Sequence, residues 1–107
     1  MHAAAVVFDL HLPACGSLKE KRQIVRPIVE GLRNRHRVAA SEVAGHDLWQ
    51  RARIGVAAVA ESAARLDQVL ASAERFVWSH PEVEVMGTDR TALELDGDLA
   101  AVPRSRR

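Results

Sequence analysis

Apolar and polar positions alternate from Ala3 to Leu12, with Val6, Phe8 and Leu10 on one side and Val7, Asp9 and His11 on the other. A period of two predicts a half-buried strand. Between Gly16 and Arg37 the period lengthens. At about 100° per residue, Leu18, Ile24, Val25, Ile28, Val29 and Leu32 gather on one face of a helix. Lys19, Arg22, Arg26 and Arg33 fall within about 60° of one another on a different face. Ser17, followed three residues later by Glu20, is the capping-box pattern that starts such a helix. Pro27 stands inside it, where a missing N–H and a clash with the Gln23 carbonyl predict a kink or a break.

Arg37–Ala44 and Arg51–Val59 read as the second and third strands, joined by the connection Gly45–Gln50. Glu61–His80 reads as a second helix, with Leu66, Val69, Leu70, Ala73 and Val77 at helical spacing and Pro81 as its stop. A last strand lies between Val83 and about Leu95, with an interruption expected near Gly87. The order strand, helix, strand, strand, helix, strand, joined by right-handed crossovers and a central hairpin, predicts a ferredoxin-like α+β fold. This is a βαββαβ arrangement, a four-stranded antiparallel sheet with two helices on one face. Residues 1–96 are expected to form this single domain, and residues 97–107 a disordered basic tail. The sheet face left open would carry Ala5, Val7, Asp9 and His11, with Arg51, Arg53 and Ala57 beside them. Part of that face is too apolar to prefer water, so a homodimer is expected.

Composition narrows the picture. The 107 residues suffice for one core, and with four aromatic residues that core must be built from Val, Ile, Leu and Ala. A single cysteine, Cys15, excludes an internal disulfide and fits a reducing compartment. No apolar run approaches the length of a membrane span, and the opening residues carry Asp9 and His11 rather than a basic leader region. A soluble cytoplasmic protein is the expectation. The formal net charge of +1 conceals an asymmetry: Lys19 to Arg53 holds nine basic residues against four acids, and Ile54 to Asp98 three against nine. Such a charge dipole offers phosphate or an acidic partner a basic pole.

Three segments carry a resemblance: SLKEKR at Ser17–Arg22, SEV at Ser41–Val43 and DLWQRARIGVAAVA at Asp47–Ala60. Together they resemble the YlxP-like proteins, small bacterial proteins catalogued as a domain of unknown function. The similarity spans roughly Ala4 to Leu95. It implies a ferredoxin-like fold, a bacterial source and a gene placed among those for translation initiation and ribosome maturation. It carries over no catalytic residue, because none is established for the family. The chain departs from the family at His36 and Arg37, where relatives more often show an aromatic residue and a small polar one.

The basic stripe matches a phosphate backbone by reach and charge, without reading bases. Lys19, Lys21, Arg22, Arg26, Arg33, Arg35, Arg37, Arg51 and Arg53 are therefore the candidate RNA-binding residues; a solvated helix face, weakened by Glu30, is the plainer reading. The central strands lack the aromatic residues on which RNA-recognition modules stack bases. Asp47, Trp49 and Gln50 form a candidate partner-binding hairpin, since an exposed Trp beside Arg is a hot-spot composition. Against this stands Trp49 folding back to cover a sheet edge or the dimer seam, with Asp47 capping the turn. Cys15 is expected to be an inert surface thiol, and the five histidines show no metal-ligand spacing. The expectation is a non-enzymatic accessory protein that binds RNA or a ribosomal particle, with no catalytic residue, metal, cofactor or small-molecule substrate. Its alternative is a homodimeric protein-interaction module acting through the open sheet face and the Trp49 hairpin.

Overall fold

A computed structural model describes residues 1–95; the tail expected at 97–107 lies outside the described residues. In chain order the elements are β1 (His2–His11), α1 (Leu18–Arg35), β2 (Ala39–Ala44), β3 (Arg51–Ala60), α2 (Ala63–Trp78) and β4 (Glu84–Glu94). The strands form one antiparallel sheet in the order β2-β3-β1-β4, the ferredoxin-like arrangement.

Strand phase fixes the core. Ala4, Val6, Phe8 and Leu10 of β1 and Ala52, Ile54 and Val56 of β3 are buried beneath the helices. Above them α1 contributes Val25, Ile28, Val29 and Leu32, and α2 contributes Leu66, Leu70, Ala73 and Val77. The opposite sheet face carries Ala5, Val7, Asp9 and His11 of β1 in register with Ala57, Gly55, Arg53 and Arg51 of β3. The interruption expected near Gly87 is a bulge: Asp9 pairs with Gly87 and Leu10 with Val85, so Met86 is the extra residue.

Both helices begin as their sequences dictate. Ser17 Oγ accepts from the Glu20 amide at 3.1 Å, and Ser62 Oγ does the same for Arg65. Glu20 reaches back one residue further than the standard box, its Oε2 accepting from Gly16 N at 3.2 Å. The break expected at Pro27 does not occur, and α1 is one helix from Leu18 to Arg35. Pro27 and Gln23 are both exposed, so water can serve the carbonyl that loses its partner.

The two helices meet at a residue without a side chain. A Cβ built on Gly31 of α1 would overlap Cζ and Cε2 of Phe76 on α2. Phe76 is held between His36 and His80, at centroid separations of 4.8 and 4.7 Å. At the end of α1, Arg37 sits at φ 56°, in the left-handed region that glycine favours. The reversal lets Val38 N donate to the Leu32 carbonyl and turns the chain into β2.

Candidate nucleic-acid interface

The exposed side of α1 is the natural starting point, because its apolar side is committed to the core. Lys19, Arg22 and Arg26 line one shallow groove there, together with Gln23, Pro27 and Glu30. Among the described residues none of the three cations is in an ion pair. Arg33 is differently employed. Its Nε donates to the Ala40 carbonyl of β2 at 2.8 Å, and Nε2 of His46 lies 3.2 Å from the Glu42 carbonyl oxygen. Side chains thus meet main-chain acceptors of an outer strand that would otherwise invite another strand.

Lys21 does not share this surface. It is 2 % exposed and lies on the apolar side of α1, one turn before Val25. Its ammonium donates to the Gly45 carbonyl and stands 2.8 Å from Oε2 of Glu42. That carboxylate oxygen is buried and off the direction of a hydrogen bond, so the contact between the two is Coulombic. Lys21 therefore ties the first turn of α1 to β2 and the hairpin, and its charge is spent inside the protein.

The other candidates are spread over separate faces. Arg51 and Arg53 project from the open sheet face, opposite the helices. There Arg51 Nη2 donates to both oxygens of Asp9 at 3.0 and 2.9 Å, and Arg53 lies 3.9 Å from the same carboxylate. Arg35 and Arg37 stand at the C-terminal end of α1, with the Arg35 guanidinium 5.9 Å from the Phe76 ring centroid. The nine cations named from sequence thus occupy the α1 face, the end of α1, the far side of the sheet and, for Lys21, the interior.

In the hairpin, Leu48 and Trp49 are each 53 % exposed. Gln50 clamps the hairpin to the loop before α1. Its Nε2 donates to the carbonyls of Cys15 and Pro13, at 3.2 and 3.4 Å, and its own carbonyl accepts from Leu12 N. Asp47 lines a cavity of about 470 Å³ between α1 and β2, beside Glu42 and His46. The thiol expected at the surface is not there. Cys15 is 2 % exposed and its Sγ donates to the Ser17 carbonyl, because the clamp from Gln50 folds the loop inward.

Arg65 escapes sequence reasoning. It sits in the first turn of α2 and faces the same cleft as Arg35 and Arg37. Its place in an otherwise acidic half of the chain hides it, and only the packing of α2 beside the end of α1 reveals the grouping. No described helix is long and apolar enough to cross a membrane.

Comparison with known proteins adds a family and no chemistry. A family model described as a protein of unknown function, DUF503, matches residues 4–90. The chain is also similar to the uncharacterized protein YlxP of Bacillus subtilis (strain 168), at 39 % identity over 69 residues, 64 % of this chain and 75 % of that protein.

Proposed function

We propose a function on the premise that this chain belongs to the DUF503 family, proteins of unknown function: it is a non-enzymatic accessory protein that binds RNA. The observation that carries the reading is the unpaired row Lys19, Arg22 and Arg26 on the exposed side of α1. Three cations at successive turns of one helix, none in an ion pair among the described residues, present positive charge to an external polyanion, tempered by Glu30 in the same groove. The contacts are to phosphate, so binding is tolerant of sequence and sensitive to salt. The gene neighbourhood implied by the family resemblance makes a ribosomal particle the natural source of that RNA.

The test measures affinity for a single-stranded RNA across a salt series. Reversing the charge of both Arg22 and Arg26 is expected to weaken binding and to flatten the slope of log K against log salt by about 1.4, two phosphate contacts' worth. An unchanged slope would remove α1 from the interface. Co-migration of the protein with a ribosomal subunit on a sucrose gradient at low salt, lost at high salt, extends the reading to the particle.

A second reading has its own observation. The open sheet face exposes Val59, Val43 and Leu93 around a bed of alanines, and Trp49 projects from the neighbouring hairpin. These favour a homodimeric interaction module, and the two readings use opposite faces of the sheet.

A further inference from the structure

The sheet is not rectangular. β2 begins at Ala39, opposite Ala57, while β3 runs on to Ala60. Ala58, Val59 and Ala60 therefore have no strand beside them on that side among the described residues. The step in the sheet opens a cleft of about 920 Å³ that wraps around the free edge of β3. Its apolar lining covers both sides of the strand, Ala57 and Val59 facing the open face and Ala58 and Ala60 facing α2, with Val69 and Leu93 beside them. Its rim holds Arg35, Arg37 and Arg65, and no carboxylate lines it among the described residues.

Each rim arginine is positioned by its own device. The Arg35 guanidinium lies against the ring of Phe76, 5.9 Å from the centroid. Arg37 is aimed by its left-handed backbone, a conformation that costs any residue but glycine and that a plain helix stop would have filled with glycine. Arg65 donates from Nη1 to Gln68 Oε1 at 3.4 Å. Behind them the Ser72 hydroxyl lies 2.9 Å from Nδ1 of His36. Three forked cations, with no carboxylate in the lining among the described residues, suit phosphate, whose oxygens accept paired N–H donors. The apolar side chains beside them give the organic group of such a ligand a surface to pack on.

We propose that this cleft is a binding site for a phosphate ester of nucleotide size, its phosphate held by Arg35, Arg37 and Arg65 and its organic group packed on the apolar side chains of β3. The site is separate from the α1 face and does not depend on the RNA reading. A free nucleotide and the phosphorylated end of an RNA strand share this chemistry.

Titrations of the full chain with AMP, adenosine and inorganic phosphate, followed by amide chemical shifts, test it. AMP is expected to move Ala58, Ala60 and Ser72, and to bind about tenfold more tightly than adenosine or phosphate alone, since each of those forfeits one half of the site. Arg65→Gln and Arg37→Gly should each weaken AMP about tenfold. Arg37→Gly also relieves the backbone, so its melting temperature should not fall and lost binding cannot be charged to unfolding. Arg75→Gln, on α2 but outside the cleft, should leave AMP binding unchanged. Oligonucleotides with and without a terminal phosphate separate the sources. A preference for the phosphorylated strand that Arg65→Gln abolishes assigns the site to strand ends, and AMP binding without that preference assigns it to the free nucleotide. The proposal is overturned if neither ligand binds, or if binding is indifferent to Arg37→Gly and Arg65→Gln.

Discussion

Lys21 is a charged residue in the place of a core residue, and the cost of leaving it there unpaired explains its neighbours. Removing the ammonium alone strands a buried carboxylate oxygen on Glu42 and an acceptor on Gly45. Lys21→Met is therefore expected to destabilise the fold by about 3 kcal/mol, at the low end of broken buried pairs because Glu42 keeps some contact with water. The double variant Lys21→Met with Glu42→Leu should recover most of that loss, since an apolar pair of similar volume needs no partner. Urea unfolding of the two singles and the double closes the cycle; additive losses would mean that the two residues do not act together. The burial is legible in the chain. Lys21 stands four residues before Val25 and seven before Ile28, on the apolar stripe, while Lys19 and Arg22 flank it on the polar side. Counting charge along the segment hides what the period shows. That Glu42 is the partner depends on the packing of β2 under α1, which no local pattern carries.

At the scale of elements, the contact between α1 and α2 is set by Gly31. Its missing side chain is the space that Phe76 occupies, with the ring edge where a Cβ would stand. Gly31→Ala raises helix propensity by about 1 kcal/mol yet drives a methyl group into a ring clasped by His36 and His80. Overpacking of this kind costs about 1–3 kcal/mol, so the net effect is expected to be destabilising, read as a lower denaturation midpoint. Combining it with Phe76→Leu should restore part of the loss, and a Gly31→Ala protein more stable than the parent would show that the helices can slide apart freely. The elements themselves are readable because periodicity and caps agree: Ser17 and Ser62 start the helices and Pro81 follows the second. Pro27 does not end α1, and the carbonyl it frees lies on the exposed side where water can serve it. Strand ends are the least readable, and the step between β2 and β3, which makes the arginine cleft, is a matter of such ends.

For the whole molecule, the sheet separates two surfaces of different character. The helical side shows unpaired cations along α1, and the open side shows alanines and exposed branched side chains, Val59 at 67 % exposure foremost. If a second copy covers that side, Val59→Glu with Leu93→Glu should convert a sedimenting dimer into a monomer with unchanged circular dichroism, while RNA affinity stays with α1. A parent protein that sediments as a monomer removes the dimer. The connectivity has a further consequence, for synthesis. β1 lies between β3 and β4, pairing His2 with Ala60 on one side and with Glu94 on the other. β1 is thus made before either of its neighbours, and its β4 edge stays bare until residues 84–94 have followed. Closing pairs so distant in sequence is slow, and an unpaired apolar strand is prone to find the wrong partner meanwhile. Folding yield is therefore expected to depend on how well β1 is kept from other chains until its neighbours arrive.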